Sequence, residues 1–307
     1  MFIEVALFIV GMILLIKGAD LFVGGGRGLA SRFSISPALI GFTVVAFGTS
    51  LPEFVVSANA ALTGSPGIAT GNIIGSNIAN IALVLAICGI LNPAILNPRD
   101  PKNSGIGKQT GLMLGGTALF CILAWSGTLS MGSGIILLIG FILILRSLWD
   151  GRETGEEIQT RRGYLDYILT GGGIAAVIIG AHLVVTSAIG IAVALEIPAF
   201  IIGMTIVAVG TSLPELATSI VAITKGQGGI SVGNLLGSNI FNLLFVMGII
   251  AIITPIPLDE RGDLLMMALF SLAAVPITMA GEKLTRPISV AVLIGYFVYI
   301  SHLTGIF

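Results

Sequence analysis

Six residues, GTSLPE, occur twice in this chain, at Gly48–Glu53 and at Gly210–Glu215. Each copy sits in an apolar run long enough to cross a membrane, where about 20 mostly apolar residues suffice. The same offset of 162 relates GNIIGSN (71–77) to GNLLGSN (233–239), IGFTVVAFG (40–48) to IGMTIVAVG (202–210) and GAD (18–20) to GAH (180–182). The register holds without a gap over some sixty residues. The chain is therefore an internal duplication, and whatever the motif does, it does twice.

Composition decides where such a chain can fold. Of 307 residues 55% are hydrophobic and 9% charged, with a mean hydropathy of +1.08. Ordinary soluble domains carry about 25% charged residues. Only a bilayer can take up this much apolar surface; the net charge of −1 says nothing of partners, and no basic patch or motif in the sequence suggests nucleic-acid binding. Ten spans are expected, near 2–24, 38–62, 67–92, 109–126, 131–147, 165–187, 198–224, 229–254, 263–281 and 287–305. The N-terminus lacks a basic leader region and a small-residue cleavage site, so the first run is expected to be a retained span. Cys88 and Cys121 both lie inside apolar runs and are expected to pack there without a disulfide or a metal.

Lysine and arginine set the orientation. With the N-terminus outside, the inner connections hold Arg27, Arg32, Arg99, Lys102, Lys108, Arg146, Arg152, Arg161, Arg162, Lys225, Lys283 and Arg286, and the outer ones only Arg261. Five spans per half is an odd number, so the halves cross in opposite directions. The expected fold is an all-α polytopic membrane protein, ten helices in two inverted five-helix repeats. The first repeat is expected at 1–147, a polar cytoplasmic linker at 148–163 and the second repeat at 164–307. Inverted repeats are a recurring plan of secondary transporters, with the site at mid-membrane where the repeats meet.

Pro52 and Pro214 lack an N–H and free the carbonyls of Gly48 and Gly210. In lipid a freed carbonyl is costly unless something satisfies it, and a cation can. Helical spacing puts Ala46, Thr49, Ser50, Glu53 and Ser57 on one face, and Ala208, Thr211, Ser212, Glu215 and Ser219 on its copy. The third span adds Asn72, Ser76 and Asn80, and the eighth Asn234, Ser238 and Asn242. Carboxylate, hydroxyl, amide and backbone oxygens without His or Cys form a set for hard cations such as Ca²⁺, Mg²⁺ or Na⁺. A charge at mid-membrane costs about 2.5–3.5 kcal/mol on insertion scales. Glu53 and Glu215 are the only carboxylates near mid-span, and two identical copies argue for function over a mere kink. Asn72 and Asn234 serve equally well as helix bridges. Lys17 and Asp20, three residues apart, are expected to pair.

With those residues in view, the chain resembles the cation/Ca²⁺ exchanger superfamily, most of all the prokaryotic sodium/calcium exchangers. The resemblance rests on GTSLPE followed by GNxxGSN in each half and covers the whole chain. It implies a Na⁺/Ca²⁺ antiporter working by alternating access, with ion sites between spans 2, 3, 7 and 8 and with the first and sixth spans as a sliding gate. It implies that Glu53 and Glu215 are shared by Ca²⁺ and Na⁺, and that the carbonyls of Thr49 and Thr211 complete the Ca²⁺ site. It places one flanking Na⁺ at Ala46, Ser50 and Ser76, and the other at Ala208, Ser212 and Ser238. Asn80 and Asn242 complete the centre. Many relatives carry Asp at one of these two positions, and Asn at both argues against K⁺ co-transport. Ile73, Ile74, Leu235 and Leu236 stand where proton-coupled relatives have an acid, so sodium coupling is favoured. A proton-coupled or broader divalent-cation exchanger is the alternative on the same fold. An intramembrane hydrolase lacks a nucleophile and base beside the glutamates. A channel would place its selectivity ring on an oligomer axis, whereas the symmetry here lies within one chain. No enzymatic activity and no cofactor are expected; the partners are Ca²⁺, Na⁺ and the bilayer, and the working unit is a monomer.

Overall fold

The computed structural model describes residues 2–96, 105–150, 163–195, 210–258 and 261–303. Helices α1 (Phe2–Phe33), α2 (Pro37–Thr49), α3 (Leu51–Leu62), α4 (Pro66–Leu91), α5 (Ile106–Ala124) and α6 (Met131–Asp150) form the first half. The second contains α7 (Leu165–Ala194), α8 (Leu213–Thr224), α9 (Gly228–Ile253), α10 (Arg261–Met279) and α11 (Glu282–Leu303). Among the described residues, eight of these helices are long and apolar enough to span a membrane, and the bent pair α2–α3 makes nine. The expected seventh span, 198–224, is described from Gly210 onward and contributes α8. The chain is a helical polytopic membrane protein of two inverted repeats.

The serine of the motif takes the same backbone geometry in both copies. Ser50 (φ −86°, ψ 5°) and Ser212 (φ −86°, ψ 4°) leave helical geometry, and each opens a 12-residue helix with proline in its first turn. A proline there gives up only an N–H that a helix start leaves unbonded anyway. The break bends α2 against α3 by 45°.

Helices α4 and α9 form the centre, 78% buried over their most apolar stretch, while α1, α6, α7 and α11 lie at the periphery. Among the described residues three segments are π-helical: Gly41–Val45, Asn80–Leu85 and Phe241–Val246. Such turns are rare and concentrate at functional sites. Two of them begin beside Asn80 and Asn242. Strands β1 (Thr128–Leu129) and β2 (Ile256–Pro257) pair antiparallel and tie the α5–α6 connection of the first half to the α9–α10 connection of the second.

Helices α1 and α7 are longer than the expected spans 2–24 and 165–187, at 32 and 30 residues. At 1.5 Å per residue they reach about 48 and 45 Å. That exceeds a hydrocarbon thickness of about 30 Å, so each is long enough to cross the bilayer at a tilt. They pack antiparallel along their length, and glycine permits the approach. A Cβ on Gly18 would lie 2.7 Å from the backbone nitrogen of Val177, and one on Gly180 would lie 2.5 Å from that of Leu15. These two contacts are one contact repeated at the offset of 162.

Candidate functional site

The α2–α3 break and its copy deliver their polar faces to the centre. Ala46, Thr49, Ser50, Glu53 and Ser57 are all buried, as helical spacing requires. Ser212, Glu215 and Ser219 are buried as well, and Thr211 is half-buried. Ala208 lies outside the described residues. Ser76 and Asn80 from α4, and Asn234, Ser238 and Asn242 from α9, are buried against them.

Hydrogen bonds bring the halves together. Ser50 Oγ donates to Glu215 Oε1 at 3.0 Å, and Ser238 Oγ donates to the same oxygen at 3.4 Å. Thr49 Oγ1 donates to Asn234 Oδ1 at 3.0 Å. Asn72 and Asn234 do bridge helices: Asn72 Nδ2 donates to Ser57 Oγ at 2.9 Å, and Asn234 Nδ2 to Ser219 Oγ at 3.0 Å.

Five buried polar atoms here have no hydrogen-bond partner: Glu53 Oε2, Glu215 Oε2, Asn80 Oδ1, Asn242 Oδ1 and Ser212 Oγ. Buried polar groups are normally satisfied, and an unmet one costs about 1–3 kcal/mol. All five are oxygens, and both carboxylates are among them. One hard cation would satisfy several at once. Among the described residues no group of three His, Cys, Asp or Glu side chains offers an alternative metal cluster.

Two residues of the centre were missed from the sequence. Asn77 and Asn239 are fully buried and hold each other across the molecule. Asn77 Nδ2 donates to the Asn239 carbonyl at 3.1 Å, and Asn239 Nδ2 donates to the Asn77 carbonyl at 3.2 Å. The signal was available: they end the duplicated GNxxGSN segment and stand three residues before Asn80 and Asn242. The expected Lys17–Asp20 pair gives way to Asp20–Lys225, because α8 ends with Lys225 alongside α1. Cys88 and Cys121 are free thiols.

Two inverted repeats meeting at a buried oxygen cage, with one carboxylate from each, define the class: a secondary transporter of small hard cations. The model for the sodium/calcium exchanger protein family matches residues 3–149 and 166–305, and the chain belongs to that family. It is 30% identical to the sodium/calcium exchanger MaX1 of Methanosarcina acetivorans over 83% of this chain and 85% of that one. It is 35% identical to the inner membrane protein YrbG of Escherichia coli K12 over 84% of this chain and 82% of that one. It is also similar to the solved sodium-calcium exchanger NCX_Mj soaked with zero Na⁺ and Ca²⁺, with a TM-score of 0.86 and 34% identity over 98% of this chain and 99% of that one.

Proposed function

We propose that this chain is a sodium/calcium antiporter that extrudes Ca²⁺ in exchange for Na⁺ by alternating access. The observation that carries this reading is the set of five partnerless buried oxygens shared between the repeats. Glu53 and Glu215 bind either ion, aided by the Thr49 and Thr211 carbonyls for Ca²⁺. Ala46, Ser50 and Ser76 hold one flanking Na⁺, Ala208, Ser212 and Ser238 the other, and Asn80 and Asn242 close the centre. The glutamates supply a charge of −2, which one Ca²⁺ neutralises and three Na⁺ would exceed by +1, an arithmetic that permits electrogenic exchange.

The protein acts as a monomer in the cell membrane, with both termini outside and no enzymatic step or cofactor. Repeats 1–147 and 164–307 are joined by a cytoplasmic linker, 148–163. The lysine and arginine distribution supports this orientation. Kinship with an inner membrane protein supports the location.

The test is uptake of radiolabelled Ca²⁺ into proteoliposomes under an imposed Na⁺ gradient. Uptake should follow the Na⁺ gradient and change little with K⁺. Equal uptake driven by a proton gradient in sodium-free buffer would overturn sodium coupling in favour of proton exchange.

A further inference from the structure

We propose that Asn77 and Asn239 are positioning residues for ion binding, each holding the other repeat's site asparagine with its oxygen turned toward the ion. A primary amide carries an oxygen and an NH₂ of nearly the same shape. A free Asn80 or Asn242 would present either one, and the NH₂ repels a cation. Here neither is free. Asn80 Nδ2 donates to Asn239 Oδ1 at 3.0 Å, and Asn242 Nδ2 donates to Asn77 Oδ1 at 3.1 Å. The atom of each site amide left without any partner is its oxygen, and it is buried.

The holders are themselves held. Each gives its own NH₂ to the backbone carbonyl of the other, so neither can turn over. Flipping any one of the four amides sets two NH₂ groups, or two oxygens, face to face. All four side chains are at most 1% exposed, so water cannot take over a lost bond. A buried group left unmet costs more than a typical bond gives. Every bond in the set crosses from one repeat to the other. The service is therefore crossed as well: Asn77 orients Asn242, and Asn239 orients Asn80.

This proposal rests on the reading of Asn80 and Asn242 as ion ligands, and the experiment separates the two. Ca²⁺ affinity is measured by titration calorimetry on purified protein, with Ca²⁺ uptake run in parallel. Asn77→Leu and Asn239→Leu should each raise the Ca²⁺ Kd about tenfold, the scale of one unmet buried partner. Combined with Asn242→Ala, Asn77→Leu should add nothing further. Combined with Asn80→Ala, it should keep its full effect. Asn239→Leu should show the converse. A purely structural role predicts equal additivity in both backgrounds, and that result overturns the positioning. Unchanged Kd in Asn80→Ala and Asn242→Ala would instead overturn the ligand reading, and the proposal with it. If leucine is not accommodated, Asn77→Ala and Asn239→Ala carry the same cycles with the same expectation.

Discussion

The α1–α7 pair packs on both halves of the molecule, but of the two equivalent motif helices, α3 and α8, its inner apolar face covers α8. Its inner face is Leu15, Ala19, Val177 and Ala181, which is one residue pair repeated at the offset of 162. This quartet packs on Leu213, Ala217 and Val221 of α8. The equivalent residues of α3 are Leu51, Val55 and Asn59, of which Val55 is 61% exposed. A symmetric pair on an asymmetric seat describes one arrangement of two. The ion site shows the same imbalance. Glu215 accepts from Ser50, whereas Ser212, the counterpart of Ser50, has no partner.

The largest effect belongs where the halves should be equal. Glu53→Gln and Glu215→Gln should each reduce Na⁺-driven Ca²⁺ uptake more than about a hundredfold, since a charged contact is worth about 3 kcal/mol. Both variants should still insert, because each removes a charge from the membrane interior. Uptake at the wild-type rate in only one of them would make the site one-sided and break the equivalence.

The next test concerns the seat. In a background with Cys88 and Cys121 replaced, Ala19→Cys with Ala217→Cys should cross-link in the arrangement described here, since both side chains belong to one packed cluster. The symmetric counterpart is Ala181→Cys with Val55→Cys, by the same offset. It should cross-link only once the pair has moved. Either disulfide should stop uptake, and reduction should restore it. Formation of both in the same molecules would mean that the two seats are occupied together, and the comparison would fail.

The sequence carried the symmetric part of this structure plainly. A fixed offset in two apolar halves implies inversion, and a helical stripe from Ala46 to Ser57 implies one buried polar face. What it could not carry falls into two kinds. The π-helical turn at Asn80–Leu85 has no local signature in the sequence. The Asn77–Asn239 clasp depends on α4 and α9 meeting at those residues, which spacing along one chain does not reveal. The choice of seat is a different case. Leu213–Ala217 and Leu51–Val55 encode both seats, so a sequence reader has almost nothing to choose between.

The smallest effect comes from a charged pair that distinguishes the seats. Asp20 on α1 pairs with Lys225 at the end of α8. The positions 162 residues away are His182 and Thr63, and Thr63 carries no charge. The pair is a tie on one side only, and it is broken whenever the α1–α7 pair leaves α8. Both partners are nearly half exposed, at 46% and 42%, so water screens most of the attraction. An ion pair of this kind is worth about 0–1 kcal/mol. Asp20→Asn should therefore shift the ratio of the two cross-links by no more than about fivefold toward the Ala181–Val55 pair, the equivalent of that energy. High salt should shrink the shift. The sharper version restores symmetry instead of removing it. His182→Asp with Thr63→Lys installs the same tie on the other side, and should return the ratio toward one while leaving Asp20–Lys225 in place. A ratio that ignores both changes would mean that packing alone chooses the seat.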